Sequence, residues 1–222
     1  LFQNNEKHDL NLGACAGDLD NDGDMDLYIT SLNGTNKLFQ NMGVRGFIDY
    51  SAISDGIGKE GDRTNTCIFG DVDNDGDLDI FIANEYSSNR LYLNNGAAIF
   101  EEVTESIGLS TTDGGMGCSF GDIDGDGDLD LYVSNWSKKN ILYKNLFIDN
   151  GELYFENITD KTGVGGNDFD KSNGVVFNDI DNDADLDLFV TNRKTSNTLY
   201  INNGKGIFKN ETAHFLGIDS LK

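Results

Sequence analysis

The sequence contains no proline, only two histidines, only three cysteines and no long apolar run. Without proline, the turns depend on 27 glycines and on abundant asparagine and aspartate. No apolar stretch approaches the roughly 20 residues that a membrane-spanning helix needs. Three cysteines are too few for a framework of several disulfides, and two histidines leave few candidate general bases.

Basic residues are also scarce, since 16 Lys and Arg stand against 39 Asp and Glu, giving a formal net charge of −23. Nucleic acid and anionic membranes bind basic patches, so we expect neither nucleic-acid binding nor membrane insertion. The acidity is concentrated, because 20 of the 39 acidic residues lie in four short segments. Four bound Ca²⁺ ions would bring the formal charge to about −15, so much of the acidity is interpreted as metal-site chemistry.

Each acidic segment is a nine-residue loop with aspartate at positions 1, 3, 5, 7 and 9. The four loops contain Asp18, Asp20, Asp22, Asp24 and Asp26; Asp71, Asp73, Asp75, Asp77 and Asp79; Asp122, Asp124, Asp126, Asp128 and Asp130; and Asp179, Asp181, Asp183, Asp185 and Asp187. Adjacent carboxylates repel one another, and a hard divalent cation with oxygen ligands relieves that repulsion. We predict one Ca²⁺ per loop, bound by the side chains at positions 1, 3, 5 and 9 and by the carbonyl at position 7.

An EF-hand begins with the same aspartate spacing, but it also needs an acid at position 12 and flanking helices. Position 12 here is Ile29, Ile82, Val133 or Val190, so an EF-hand is excluded. Two alternatives stay open: turns solvated without metal, and a catalytic metal. We favour structural Ca²⁺, because solubility does not require aspartate at fixed positions and a loop full of protein ligands leaves little room for substrate.

The loops begin 53, 51 and 57 residues apart, so the chain is a repeat protein with units at approximately 6–58, 59–110, 111–165 and 166–222. Each unit has four short segments rich in β-branched and aromatic residues, which predict strands. The predicted fold is all-β, with four-stranded antiparallel sheets arranged radially as β-propeller blades. Residues 1–5 match the third strand of a unit, so we interpret them as the tail of a preceding blade. A sector of a larger ring, completed by the same chain or by another copy, is favoured over a four-bladed ring.

Two features depart from strict repetition. Ala184 stands at position 6 of the fourth loop, where the other loops have glycine; if φ is positive there, alanine costs about 1 kcal/mol, and the fourth site is the weakest. Cys67 and Cys118 share a repeat position that Ala14 and Val175 fill elsewhere. A small buried core site is the favoured interpretation, with a reactive or paired thiol as the alternative.

The motifs Gly-Asp-x-Asp-x-Asp-Gly-Asp-x-Asp, Asn-x-Leu-Tyr-x-Asn-Asn-Gly and Phe-x-x-x-Thr resemble the FG-GAP/VCBS repeats. They are closest to the ASPIC/UnbV and cartilage acidic protein type and similar to integrin α-subunit propeller blades. The resemblance implies a propeller of about seven blades, with Ca²⁺ in the hairpin loop that joins the first two strands of each blade. It also implies an extracellular protein, secreted or at the cell surface, that serves adhesion, matrix or glycan binding.

We therefore expect a non-enzymatic protein that acts through protein or glycan contacts. The alternatives are the propeller module of a secreted enzyme, such as a polysaccharide lyase or phospholipase with catalysis elsewhere, and a glycan-binding lectin. Ser119 lies in a G-x-S-x-G pattern, but on a predicted strand and not at a strand-to-helix turn, so no nucleophile is assigned. The better binding candidates are the turns opposite the loops, at 31–35, 84–88, 135–139 and 192–196. Trp136 is the candidate contact there, with packing against a neighbouring blade as the alternative.

Overall fold

The computed structural model describes residues 10–52, 54, 57, 61–109 and 114–212, which form four consecutive four-stranded antiparallel sheets. The strands are β1 (Asn11–Gly17), β2 (Asp26–Ser31), β3 (Lys37–Asn41) and β4 (Phe47–Asp49); β5 (Thr64–Gly70), β6 (Asp79–Asn84), β7 (Arg90–Asn94) and β8 (Phe100–Glu102); β9 (Gly115–Gly121), β10 (Asp130–Asn135), β11 (Ile141–Asn145) and β12 (Phe155–Asn157); and β13 (Ser172–Asn178), β14 (Asp187–Asn192), β15 (Thr198–Ile201) and β16 (Lys209–Asn210). Each sheet keeps its strands in sequence order, which confirms the predicted all-β blades. Residues 1–5, the expected tail of a preceding blade, lie outside the described residues.

The acidic loops connect the first two strands of each sheet. In the second sheet, Gly70 pairs with Asp79, so the loop between them closes a β-hairpin. The corresponding pairs are Gly17 with Asp26, Gly121 with Asp130, and Asn178 with Asp187. The hairpin position implied by the family resemblance is therefore confirmed, and position 12 of each loop lies within a strand.

The hydrophobic core is divided among the spaces between neighbouring sheets. One cluster joins Leu19 and Tyr28 of the first sheet to Ile80 and Tyr92 of the second. Two further clusters join the second sheet to the third and the third to the fourth. Strands β6 and β10 are therefore buried along their whole length. No sheet has a core of its own, so burial of apolar surface depends on the packing of neighbouring blades.

The first strand of each sheet lies nearest a common axis. A cavity of about 490 Å³ is lined by residues of all four such strands, including Gly13, Thr66, Cys118 and Val175. The acidic loops lie at the carboxyl ends of these strands, and the turns between the second and third strands lie at the opposite end of the sheets. The arrangement is radial, as predicted.

Short helical turns occupy some connections between strands. A 3₁₀ turn (Gly43–Arg45) precedes β4, whereas α1 (Phe147–Asn150) and α2 (Thr159–Thr162) flank β12. The third repeat has a longer connection before its fourth strand than the first two repeats, and α1 lies within this connection. In the described part of the chain, no helix is long and apolar enough to cross a membrane.

Cys67 is buried in the core, as the favoured interpretation has it, but it also forms a disulfide with Cys15, so the alternative of a paired thiol is confirmed for this residue. Cys15 and Cys67 stand at different positions of the repeat, so alignment of equivalent positions does not pair them. They meet because β1 and β5 lie side by side in neighbouring blades, with a Cα–Cα distance of 6.0 Å. Cys118 is a free thiol, and burial raises its pKa to about 12, so it is not a reactive thiolate.

The disulfide predicts that reduction loosens the contact between the first two blades. With calcium present, Cys67→Ala should lower the free energy of unfolding by about 2–4 kcal/mol, the usual contribution of a disulfide. Urea unfolding with and without dithiothreitol measures the effect. The Cys118→Ala variant should remain sensitive to the reductant, whereas Cys67→Ala should not. Equal sensitivity of these two variants would contradict the pairing.

Candidate metal centres

Each acidic loop curls around the aspartate at position 1. In the second loop, Asp71 accepts hydrogen bonds from the backbone N–H groups of Asp75 (3.1 Å) and Gly76 (3.0 Å). Asp75 in turn accepts one from the N–H of Asp77 (2.8 Å). Position 4, Asn74, has φ 56° and position 6, Gly76, has φ 95°. The same bonds recur in the other loops, so all four share one backbone shape.

The aspartate at position 9 is the first residue of the second strand and is completely buried. Asp79 accepts hydrogen bonds from the N–H of Val72 (2.9 Å), within its own loop, and from the N–H of Asn94 (2.9 Å), at the end of β7. The side-chain amide of Asn94 then donates to the carbonyl of Leu19 in the preceding blade (2.9 Å). Asn145 and Asn202 make the same inter-blade bonds, to the carbonyls of Val72 and Ile123.

Sequence reasoning missed the inter-blade role of these asparagines. The sixth position of the Asn-x-Leu-Tyr-x-Asn motif is asparagine in every repeat, although a strand end facing water does not need one. That repetition was the available signal.

At position 3, three of the four loops leave a buried carboxylate oxygen without a hydrogen-bond partner. These atoms are the Oδ1 atoms of Asp20, Asp73 and Asp124. A buried carboxylate oxygen without a partner is costly, and a bound cation would offset that cost. The equivalent Asp181 in the fourth loop is exposed. These unpartnered oxygens are the specific sign that the loops fit a metal ion.

The pKa values support the same need for positive charge. Burial raises the pKa of Asp79 to about 7 and that of Asp130 to about 8, although both accept backbone hydrogen bonds. Burial also raises the pKa of Asp73, and the nearby charge of Asp75 adds to the shift. Burial therefore disfavours the ionised loop by itself, and a bound divalent cation would offset that cost.

Carboxylate oxygens of each loop converge within 4.8 Å of one another, as expected for ligands of one ion. The groups are Asp18, Asp20 and Asp22; Asp71, Asp73 and Asp79; Asp122, Asp124 and Asp130; and Asp179, Asp181 and Asp187. The other predicted ligands lie in the same loops but outside these groups: position 7 in all four loops, position 5 in the last three, and Asp26. An all-oxygen donor set on a flexible loop fits Ca²⁺ better than a softer metal.

Comparison with known proteins agrees with this geometry. A family model described as "FG-GAP-like repeat" matches residues 18–82 and 71–133, and each match begins at the first aspartate of a loop. Together the two matches cover just over half of the chain. The chain belongs to the FG-GAP-like repeat family. Three of the four acidic loops fall within the matched residues, and the fourth loop has the same hydrogen bonds.

Two named relatives extend the comparison. Cartilage acidic protein 1 of Xenopus tropicalis is 24% identical over 96% of this chain and 36% of its own length. The Homo sapiens protein of the same name is 30% identical over 59% of this chain and 21% of its own length. The chain thus spans about a third or less of these curated relatives.

The crystal structure of the V. cholerae biofilm matrix protein Bap1 shares the fold. Its TM-score is 0.52 at 14% identity, and the match covers 90% of this chain and 30% of that chain. At this level of identity the likeness concerns only the arrangement of the sheets.

Ser119 is buried within β9, as expected for a strand residue and not for a nucleophile at a strand-to-helix turn.

The fourth FG-GAP loop differs from the others at position 6. Ala184 has φ 75°, in the left-handed region that the glycines at this position adopt with φ from 91° to 96°. The expectation of a positive φ at this position is confirmed. Since an L-residue there costs about 1 kcal/mol, the fourth loop is strained, and its position-3 carboxylate is also less enclosed.

The third loop differs by holding a lysine among its carboxylates. The ammonium of Lys144, on β11, contacts Asp124, lies 3.0 Å from Asp126 and 3.6 Å from Asp149. Burial lowers the pKa of Lys144, but its contacts with the two loop aspartates outweigh burial and raise that pKa above its ordinary value. The equivalent residues in the other repeats are Gln40, Leu93 and Ile201, so the third repeat alone has a charged residue at this position.

Ala184→Gly should increase the free energy of unfolding by about 1 kcal/mol in the presence of calcium, because glycine adopts positive φ without steric cost. The matched control is Gly76→Ala in the second loop, where a Cβ would meet no atom within 4 Å, so that only the backbone conformation is tested. Gly76→Ala should lower the free energy of unfolding by a similar amount. Chemical denaturation measures both, and two variants of equal stability would contradict the strain.

Lys144→Leu should tighten calcium binding at the third loop by up to about tenfold, because a divalent ion would no longer share the loop with an ammonium. Leucine is the residue at the equivalent Leu93 of the second repeat. Isothermal titration calorimetry should show one of the four sites shifting. Lys161→Leu, which removes an exposed charge outside the loops, should leave all sites unchanged. An identical titration for Lys144→Leu and wild type would disprove the competition.

Proposed function

We propose that this chain is a calcium-stabilised propeller segment of an extracellular protein that acts in adhesion or matrix assembly, without catalysis of its own. The observation that carries the metal assignment is the buried, unpartnered oxygen at position 3 of three loops. Each loop would bind one Ca²⁺ through the side chains at positions 1, 3, 5 and 9 and the carbonyl at position 7. Asp128, for example, uses its side chain to accept the N–H of Ile148, which leaves its carbonyl for the ion.

An extracellular location is supported by two independent features. Disulfides persist in oxidising compartments, and Cys15 and Cys67 are paired. Calcium is abundant outside cells, where modules of low affinity, with Kd about 10⁻⁴–10⁻³ M, remain occupied. The relatives named cartilage acidic protein 1 support a place in an extracellular matrix.

The outermost sheets support the proposal that further blades complete the ring. Strands β6 and β10, in the middle of the described residues, are buried on both faces. In β2 and β14 the faces differ: Leu27, Ile29 and Phe189 are only partly buried, whereas Tyr28 and Leu188 are fully buried. Apolar side chains on a sheet face need a second sheet against them, and in a propeller of about seven blades the neighbouring blades supply it.

Removal of calcium tests the proposed function directly. At ten times Kd, each bound ion contributes about 1.4 kcal/mol, and 1 kcal/mol shifts the Tm of a chain of this size by about 2–4 °C. Four sites therefore predict that excess chelator lowers Tm by roughly 10–20 °C. Added Ca²⁺ should restore the Tm, and Mg²⁺ should do so poorly, because it requires a small octahedral shell.

A single-site variant locates the effect. Asp73→Asn keeps the size of the side chain but removes the charge beside the unpartnered oxygen, so it should abolish one of four binding events in a calorimetric titration. Asp168→Asn removes an exposed carboxylate outside the loops and should leave four. A Tm that does not respond to chelator would refute structural calcium.

A further inference from the structure

Four equivalent turns form the mouth of the axial cavity, at the end of the sheets opposite the acidic loops. In each, one backbone N–H donates to the carbonyl of the residue that precedes the innermost strand. The pairs are Leu32 with Leu10, Glu85 with Arg63, Trp136 with Gly114, and Arg193 with Lys171. This backbone hydrogen bond repeats in all four sheets, whereas the donor residue is in turn apolar (Leu32), acidic (Glu85), aromatic (Trp136) and basic (Arg193).

Two of these side chains place positive charge on the single tryptophan of the chain. The Nζ of Lys171 lies 5.1 Å from the Trp136 ring centroid, and the Cζ of Arg193 lies 5.4 Å from it. The ring attracts both cations, but they repel each other. Among the described residues, neither cation forms a salt bridge. In a chain with a net charge of −23, two such cations side by side indicate a site for an anion.

Asp168 is exposed and lines the same depression as Lys171, whereas the carboxylates of Glu85 and Asp170 are engaged elsewhere. Glu85 pairs with Arg63 at 3.1 Å, and Arg63 stacks on Tyr86 with its Cζ 4.8 Å from the ring centroid. Asp170 accepts hydrogen bonds from the hydroxyl of Thr195 and the N–H of Asn167. These carboxylates are therefore not directed at Lys171 and Arg193.

Lys171 also has an uncommon backbone conformation. Its φ is 55°, in the region that glycine occupies at the equivalent Gly114, where φ is 90°. A long side chain in this conformation costs about 1 kcal/mol, and it places the Lys171 ammonium against the Trp136 ring of the neighbouring blade.

We propose that this mouth binds an acidic sugar, with its carboxylate on Arg193 and Lys171. The guanidinium can hold a carboxylate through two parallel hydrogen bonds, while the ammonium adds charge. Arg193 and Trp136 line a cavity of about 300 Å³ together with Leu12, Asn65 and Asn173. A concave space of this size accepts a single ring, and amide side chains suit its hydroxyl groups, whereas an extended peptide needs a groove.

This inference gives a ligand class to the proposed adhesion role, and its site does not include the calcium loops. The loops and the mouth lie at opposite ends of the sheets, so each can be disproved without the other. Loss of sugar binding with an intact calcium response would overturn only the sugar site, and the reverse result would overturn only structural calcium.

The emission of Trp136, the sole tryptophan, reports binding directly. In excess Ca²⁺, sodium glucuronate should shift this emission saturably, and neutral glucose should not. Arg193→Gln, at an exposed position, should weaken glucuronate binding about tenfold or more, as expected for loss of a charge-assisted bond. The control Lys205→Gln removes an exposed charge from a turn at the loop end of the sheets and should bind like the wild type. Calorimetry checks each constant.

Three results would overturn the proposal. One is an emission that glucuronate leaves unchanged, and another is equal binding of glucuronate by wild type and Arg193→Gln. The third is tighter binding of N-acetylglutamate than of glucuronate, which would assign the mouth to an acidic protein side chain. An unchanged calcium titration for Arg193→Gln shows that the variant is folded.

Discussion

The buried aspartate at position 9 is the group on which both the loops and the packing of the blades depend. Asp79 closes its own loop through the N–H of Val72 and orients Asn94 through the backbone of β7. Asn94 then satisfies the carbonyl of Leu19 in the preceding blade. Because all of these groups are buried, loss of any one would leave another without a partner, which costs about 1–3 kcal/mol.

This network would couple the proposed metal binding to the hydrophobic core. The core lies between the sheets, so the sheets must keep a fixed separation and angle for Leu19, Tyr28 and Ile80 to interlock. The asparagine bonds fix that geometry at the loop end of each interface. The same loop also contains the carbonyl that accepts the hydrogen bond from the next blade's asparagine. A cation that holds the loop together would therefore stabilise the contact between two blades as well as the hairpin.

Sequence alone predicted the features that repeat at equal positions. The repeated segments predicted short antiparallel strands in sequence order, the family resemblance implied the hairpin position of the loops, and alanine in place of glycine marked Ala184 as the residue that a positive φ would strain. Each depends on residues near one another in the chain. The sequence could not predict the pairing of Cys15 with Cys67 or the contact of Lys144 with the third loop. Those depend on how far one strand is staggered against its neighbour, which only the packed structure defines.

The two ends of the sheets are under different physical constraints. At the loop end, side chains themselves join the blades and would bind the proposed ion, so aspartate and asparagine recur at the same positions. At the opposite end an asparagine side chain also makes a repeated bond, since Asn36, Asn89, Asn140 and Asn197 accept the N–H groups of Ser31, Asn84, Asn135 and Asn192. One residue farther out, the backbone alone makes the repeated bond, as in Arg193 N–H to Lys171 C=O and Trp136 N–H to Gly114 C=O. Side chains there are free to differ without cost to the frame. A ring built of similar repeats can therefore present an asymmetric mouth, and asymmetry is what recognition of one particular ligand requires.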